Sequence, residues 1–208
     1  MGKPIVYGAD YSVYVRIVRL VLAEKGIDYA LVPVDVFATD GIPAWYFEHH
    51  PFGRIPAFEH DGFRLFETSA IAGYVDEAFD GPALQPNHPR GRATMNQIIG
   101  MLDAYAYKSM VWDVAVERLE KEAPDEALIA NGLRQAETVL RVLSSLKASG
   151  PWLLGDQLTL VDLHAASIIA YFLKVPEGQM LLAGFPEIQA WWSRIAARVS
   201  FARTEKAD

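Results

Sequence analysis

Hydrophobic and polar positions change period several times along the first eighty residues. Residues 4–7 form a short β-branched and aromatic run, which reads as a first strand. The loop Gly8-Ala9-Asp10-Tyr11 follows, and from Ser12 the pattern turns helical. Val15, Val18 and Leu22 recur at helical spacing, with Arg16, Arg19 and Lys25 free to point to water. Gly26 suits the left-handed residue that closes such a helix. Residues 27–34 read as a second strand. Pro33 has no N–H to give a ladder, so that strand belongs at a sheet edge. Residues 43–49 predict a short helix or irregular turn. Residues 56–59 and 63–66 are two short strands around His60-Asp61-Gly62, and the Asp-Gly pair signals a hairpin. Residues 68–79 are again helical, with Ile71 and Val75 on one face and Tyr74 beside it.

Gly81, Pro82, Pro86 and Pro89 then crowd into nine residues, the composition of a linker. Everything after it is helical in pattern. The best-marked helix start is Thr159, whose hydroxyl can cap while Asp162 reaches back to the Thr159 N–H. Leu158 and Leu163 stand at the staple positions. Pro186 opens the last helix, with Ile188, Trp191, Trp192 and Ile195 on or near its buried face. From Arg203 the tail is polar and reads as frayed. The division is therefore an α/β segment at 1–80 with a small mixed sheet, a linker at 81–89, and an all-helical segment at 90–208.

Composition narrows the chemistry. Half of the 208 residues are hydrophobic, enough for a packed core. The formal net charge of -7 argues against nucleic acid as a partner. The absence of cysteine removes disulfides, thiolate metal sites and a cysteine nucleophile, and no metal is expected. The N-terminus lacks a signal-peptide pattern, and no apolar run reaches membrane-spanning length. A cytoplasmic protein without a membrane partner is the expectation.

The densest chemical signal lies in His50-Pro51-Phe52-Gly53-Arg54-Ile55-Pro56 and Phe66-Glu67-Thr68-Ser69. An X–Pro bond lacks the amide donor and can be cis, so Ile55 can turn its own N–H and C=O outward. A helix start offers free N–H groups to a carboxylate. Glu67, just before that start, can hold an ammonium. These are the parts of a site for a small zwitterionic peptide.

With Val6-Tyr7-Gly8-Ala9-Asp10-Tyr11-Ser12, the helix that follows it, and Gly155-Asp156-Gln157-Leu158-Thr159-Leu160-Val161-Asp162, these motifs resemble the cytosolic glutathione transferases. The likeness is to serine-type, bacterial-like members and covers nearly the whole chain. It implies a thioredoxin-like N-terminal domain, an all-α C-terminal domain and glutathione as co-substrate. By resemblance Pro56 is a cis-proline and Ile55 pairs its backbone with the cysteinyl part of the tripeptide. Glu67 takes the ammonium, Thr68 the γ-glutamyl carboxylate, and Arg54 is either a contact to the peptide or a surface charge.

Activation of the thiol requires a donor. A thiol with pKa near 8.5 needs roughly 2.7 kcal/mol of thiolate stabilisation to titrate about two units lower. Ser12 occupies the catalytic-serine position of the family and also suits the N-cap of the first helix. Tyr7 and Tyr11 are the rival hydroxyls, Tyr7 falling within an apolar strand pattern. Asp10 stands where relatives often carry proline and is expected to face water. The electrophile pocket is expected between the halves, with Tyr11, Tyr105 and Trp112 as lining candidates and the interior or a homodimer interface as alternative roles. The implied activity is conjugation of the glutathione thiolate to hydrophobic electrophiles, with hydroperoxide reduction as a companion activity. A glutathione-dependent isomerase or dehalogenase is one alternative, and a non-catalytic interaction module another.

Overall fold

The computed structural model describes residues 2–205. Its contacts form two compact units. One runs to Ala83 and takes up the chain again from Val199; the other is Leu84–Arg198. The sequence division assigns residues from 199 on to the helical part, whereas the contacts group them with the sheet.

In the first unit, strands β1 (Ile5–Tyr7), β2 (Ala30–Val32), β3 (Ala57–His60) and β4 (Phe63–Phe66) form one sheet in the order β2-β1-β3-β4. β1 pairs parallel with β2 and antiparallel with β3, in register Tyr7↔Ala57. β2 takes the edge that Pro33 requires, and the proline ends it. Val34 N–H bonds instead to Gly8 O at 3.3 Å. Asp61 and Gly62 adopt φ of 50° and 81°, so both central turn residues are left-handed, as a two-residue hairpin demands.

Helices α1 (Val13–Glu24) and α2 (Thr68–Ala78) pack against each other. Val15, Val18, Leu22, Ile71 and Val75 are all fully buried. Each such side chain contributes about 1.5–3 kcal/mol. Strand alternation sends Phe58 toward Tyr74 of α2, their rings 5.9 Å apart. Tyr7 and Ala57 point to the opposite face, into a cluster with Val34 and Tyr46. Tyr46 belongs to a 3-10 turn, Ala44–Glu48, that lies where a short helix or turn was predicted. Gly26 closes α1 at φ 70°, with Ile27 N–H on Leu22 O at 2.9 Å. Beside it the buried Lys25 ammonium donates to Asp76 O (2.9 Å), Asp76 Oδ1 (3.2 Å) and Pro82 O (3.2 Å).

The described chain ends in a further helix beyond the one that Pro186 opens; of the tail read as frayed from Arg203, residues 206–208 lie outside the described residues. The short helix Val199–Arg203 docks on α1. The Arg16 guanidinium sits 4.0 Å from the Phe201 ring centroid and bonds Phe201 O at 3.1 Å. Thr204, just past the helix, is buried with its hydroxyl satisfied by Ser200 O at 3.0 Å.

The named elements of the second unit are all helices, as its pattern predicts. α3 (Pro89–Met101) continues into a π-helical stretch, Leu102–Val116, and ends in α4 (Glu117–Glu120). α5 (Glu126–Leu146), α6 (Leu160–Phe172), α7 (Pro176–Ala183) and α8 (Pro186–Ala196) follow. α5 crosses the π stretch at Gly132, where a Cβ would lie 2.8 Å from Val114 Cγ2 and 3.0 Å from Ser109 O. α6 is buried from Leu160 to Ile169 and forms the centre of the unit. Its capping box is formed, with Thr159 N–H on Asp162 Oδ2 at 2.8 Å. Asp162 also accepts from Leu153 N–H (2.9 Å) and Trp191 Nε1 (2.8 Å), which joins α6 to α8. On α8, Ile188, Trp191 and Ile195 are buried, while Trp192 is half-buried.

Candidate active site

Ser12 is the N-cap of α1. Its Oγ accepts from Val15 N–H at 3.4 Å, which uses a lone pair and leaves the hydroxyl proton to donate. Cap and donor are therefore compatible roles. The two tyrosines are committed elsewhere. Tyr7 lies in the face cluster, with its hydroxyl 3.5 Å from Glu59 Oε2 and its ring 4.3 Å from that of His49. Tyr11 donates to Asp35 Oδ1 at 2.7 Å. Burial raises both phenolic pKa values, and the neighbouring carboxylates Glu59 and Asp35 raise them further. Each phenol therefore keeps its proton, and Tyr11 directs it at Asp35. That carboxyl is held below the usual range by the Tyr11 hydroxyl and then by Phe37 N–H. Asp10 is half-exposed.

The segment before β3 carries the second group of residues. The Ile55–Pro56 bond is cis. The β1–β3 ladder ends at Tyr7↔Ala57, so Ile55 stands outside it. Arg54 is exposed, and its carbonyl accepts from the buried Tyr46 hydroxyl at 2.7 Å, which anchors the loop from below. A Cβ on Gly8 would lie 2.4 Å from Val15 Cγ2 and 3.4 Å from Ile55 Cβ. The start of α1 and Ile55 thus meet across a glycine that has no room for a side chain.

Glu67 precedes α2 with φ 71° and ψ 115°, a backbone conformation costly for any residue but glycine. It occupies the cap position but its side chain caps nothing, so the N–H groups of the first turn are open to an anion. Thr68 is the first helical residue and is buried. His50, 3 % exposed, lies between these segments with its ring 5.0 Å from that of Phe66. Burial lowers its pKa, with the Glu67 charge working in the opposite sense. His50 lies in the motif that the sequence singles out but has no role assigned there, and no sequence signal distinguishes Asp35 or Tyr46 as supports of the site.

The three lining candidates divide between the units. Tyr11 is in the first. Tyr105 and Trp112 are exposed on the π stretch of the second. Tyr105 borders a groove of about 860 Å³ with Met101, Val139, Val142 and Leu146, which Trp112 does not line. The Trp112 ring packs edge-on against Tyr107 at 6.4 Å.

Residues 6–83 match the model of the glutathione S-transferase N-terminal domain, and residues 104–198 that of the C-terminal domain. A glutathione S-transferase 3 from Zea mays is 31% identical over 97% of this chain and 92% of its own length. The chain belongs to the glutathione S-transferase family. The apo structure of a glutathione S-transferase III superposes with a TM-score of 0.84 at 31% identity, covering 98% of this chain and 95% of that one. A glutathione S-transferase-I bound with lactoylglutathione gives 0.84 at 25% identity over 98% of both chains. This glutathione S-transferase is an enzyme of the transferase class, with the α/β and all-α parts that its motifs implied.

Proposed function

We propose that this transferase ionises the thiol of glutathione with the Ser12 hydroxyl and adds the thiolate to a hydrophobic electrophile. The observation that carries the assignment is the distribution of hydroxyl protons. Tyr7 and Tyr11 lie against carboxylates, while the Ser12 proton is uncommitted at the start of α1. Its donation to sulfur, with the positive end of the helix behind it, stabilises the thiolate over the thiol. The thiol proton leaves to water, and the sulfur lone pair then forms the new S–C bond as the leaving group departs or the electrophile's π bond opens.

Around the sulfur, Ile55 offers N–H and C=O to the cysteinyl residue and Glu67 pairs with the ammonium. The Thr68 hydroxyl and N–H take the γ-glutamyl carboxylate, Pro56 sets the turn, and Arg54 approaches the peptide from solvent. Tyr11, Tyr105 and Trp112 are the proposed aromatic contacts of the electrophile. The protein acts in the cytoplasm as a homodimer. Among the described residues no helix is long and apolar enough to cross a membrane.

Replacement of Ser12 by Ala tests the reading. Turnover with an aromatic halide is expected to fall at least about tenfold, with glutathione affinity changed by less than about threefold, since one charge-assisted bond to the thiolate is lost. Unchanged turnover refutes the role.

A further inference from the structure

We infer that Asp35 is a positioning residue for the Ser12 hydroxyl and that it acts through Tyr11. The inference rests on the assignment of Ser12 as the donor to the thiolate. The segment between β1 and α1 is fastened at two places to the end of β2 and the loop that follows it. At its near end Gly8 N–H donates to Val32 O at 3.0 Å, and Val34 N–H donates to Gly8 O at 3.3 Å. At its far end the Tyr11 hydroxyl donates to Asp35 Oδ1 at 2.7 Å. Asp35 is itself fixed, because Phe37 N–H donates to the same oxygen at 2.9 Å and the Phe37 ring lies 6.0 Å from that of Tyr11.

Ser12 follows Tyr11 directly, and its N–H closes the turn onto Ala9 O at 3.2 Å. A displacement of Tyr11 therefore carries Ser12 with it. The cap bond from Val15 N–H is long at 3.4 Å and is a weak restraint on the hydroxyl by itself. The charged groups around the phenol are the Asp35 and Asp10 carboxylates. Both favour the protonated phenol, which then serves as a donor. The bond does two things at once. It holds the turn that presents Ser12, and it turns the phenolic proton away from the sulfur for which it would otherwise compete.

Binding of glutathione to the intact protein, followed by the ultraviolet band of the thiolate against pH, reads this directly alongside kcat and KM. Tyr11→Phe, which keeps the ring, and Asp35→Ala are each expected to raise the midpoint of the bound thiol by about half a unit to one unit. Each should lower kcat about fivefold, with KM for glutathione moving less than about twofold. The double variant should be no worse than either single one, because both remove the same bond. Asp35→Asn keeps an accepting oxygen and should restore the original midpoint.

The inference is overturned if Tyr11→Phe and Asp35→Ala keep the original midpoint while Ser12→Ala has lost the thiolate band; Ser12 then stands without its support. It is overturned in a second way if Asp35→Asn moves the midpoint downward, which identifies the carboxylate charge rather than the bond. If the unaltered protein binds glutathione without a thiolate band, the assignment of Ser12 falls together with this inference. Tyr11→Phe carries the test by itself if Asp35→Ala does not fold.

Discussion

Glu67 joins backbone strain and the proposed grip on the glutathione ammonium in a single residue. Its φ of 71° and ψ of 115° belong to glycine's territory, and holding a larger residue there costs on the order of 1–3 kcal/mol. Glu67→Gly is expected to raise stability in urea by up to about 1 kcal/mol, because the strain disappears while glycine's greater freedom when unfolded offsets part of the gain. The same change removes the carboxylate assigned to the ammonium. KM for glutathione should rise at least about tenfold, as a lost charge-assisted bond requires. Equal KM values for the two proteins would remove Glu67 from the binding site. No sequence pattern announces the strain, since Phe66-Glu67-Thr68 reads equally well as a relaxed helix start. The cis bond before Pro56 was implied by its motif and is present.

At the scale of elements, two contacts decide how the helical unit holds together. Gly132 of α5 lies against the π stretch with no space for a methyl group. In an isolated helix Gly132→Ala would add about 1 kcal/mol of propensity. Here the methyl meets Val114 and the backbone oxygen of Ser109, so overpacking of about 1–3 kcal/mol outweighs that gain. The urea midpoint should fall. The π register also places Lys108 over Asp113, five residues on, with Nζ 2.7 and 2.6 Å from the two carboxylate oxygens. An α-helix does not bring that spacing together.

Asp162 makes the second contact. Burial pushes its carboxyl pKa up against the pull of four hydrogen bonds, from Leu153 N–H, Thr159 N–H, the Thr159 hydroxyl and Trp191 Nε1. Asp162→Ala strands those donors and should cost about 1–3 kcal/mol for each one left buried and unpaired, read as a large fall in Tm. The capping box itself was legible because its partners are three residues apart. The link to Trp191 was not, since nothing local relates residues separated by 29 positions. The same limit hid the pairing of Tyr11 with Asp35 and the docking of residue 201 on Arg16, 185 positions earlier. Elements with local signals, such as the Asp-Gly hairpin, the Gly26 cap and the proline that opens α8, could be read directly, whereas Pro89, read as the end of the linker, is the first residue of α3.

For the whole molecule, His164 sets a limit toward acid. It is fully buried on α6, with Nδ1 3.1 Å from Leu160 O, and burial lowers its pKa to about 4. The unfolded chain, with the ordinary value near 6.5, binds the proton first. Stability is therefore undiminished above about pH 6.5 and is lost as pH falls toward 4, by about 3 kcal/mol in total. The raised carboxyl of Asp162 works in the opposite sense. The difference in urea stability between the protein and His164→Leu, measured from pH 7 to 4, isolates the imidazole contribution. It should shrink progressively toward acid, and a constant difference would show that the buried ring does not titrate as described.

Lys25 offers a way to watch one unit open without the other. Its ammonium is sealed among Asp76 and the Pro82 carbonyl, and the side chain is 2% exposed. Amine-acylating reagents need a free, uncharged nitrogen lone pair at the surface, so Lys25 should stay unmodified while surface lysines such as Lys108 and Lys174 react. Mass-spectrometric appearance of acyl-Lys25 during mild denaturation then times the parting of α1 from the end of α2, independently of what the helical unit is doing.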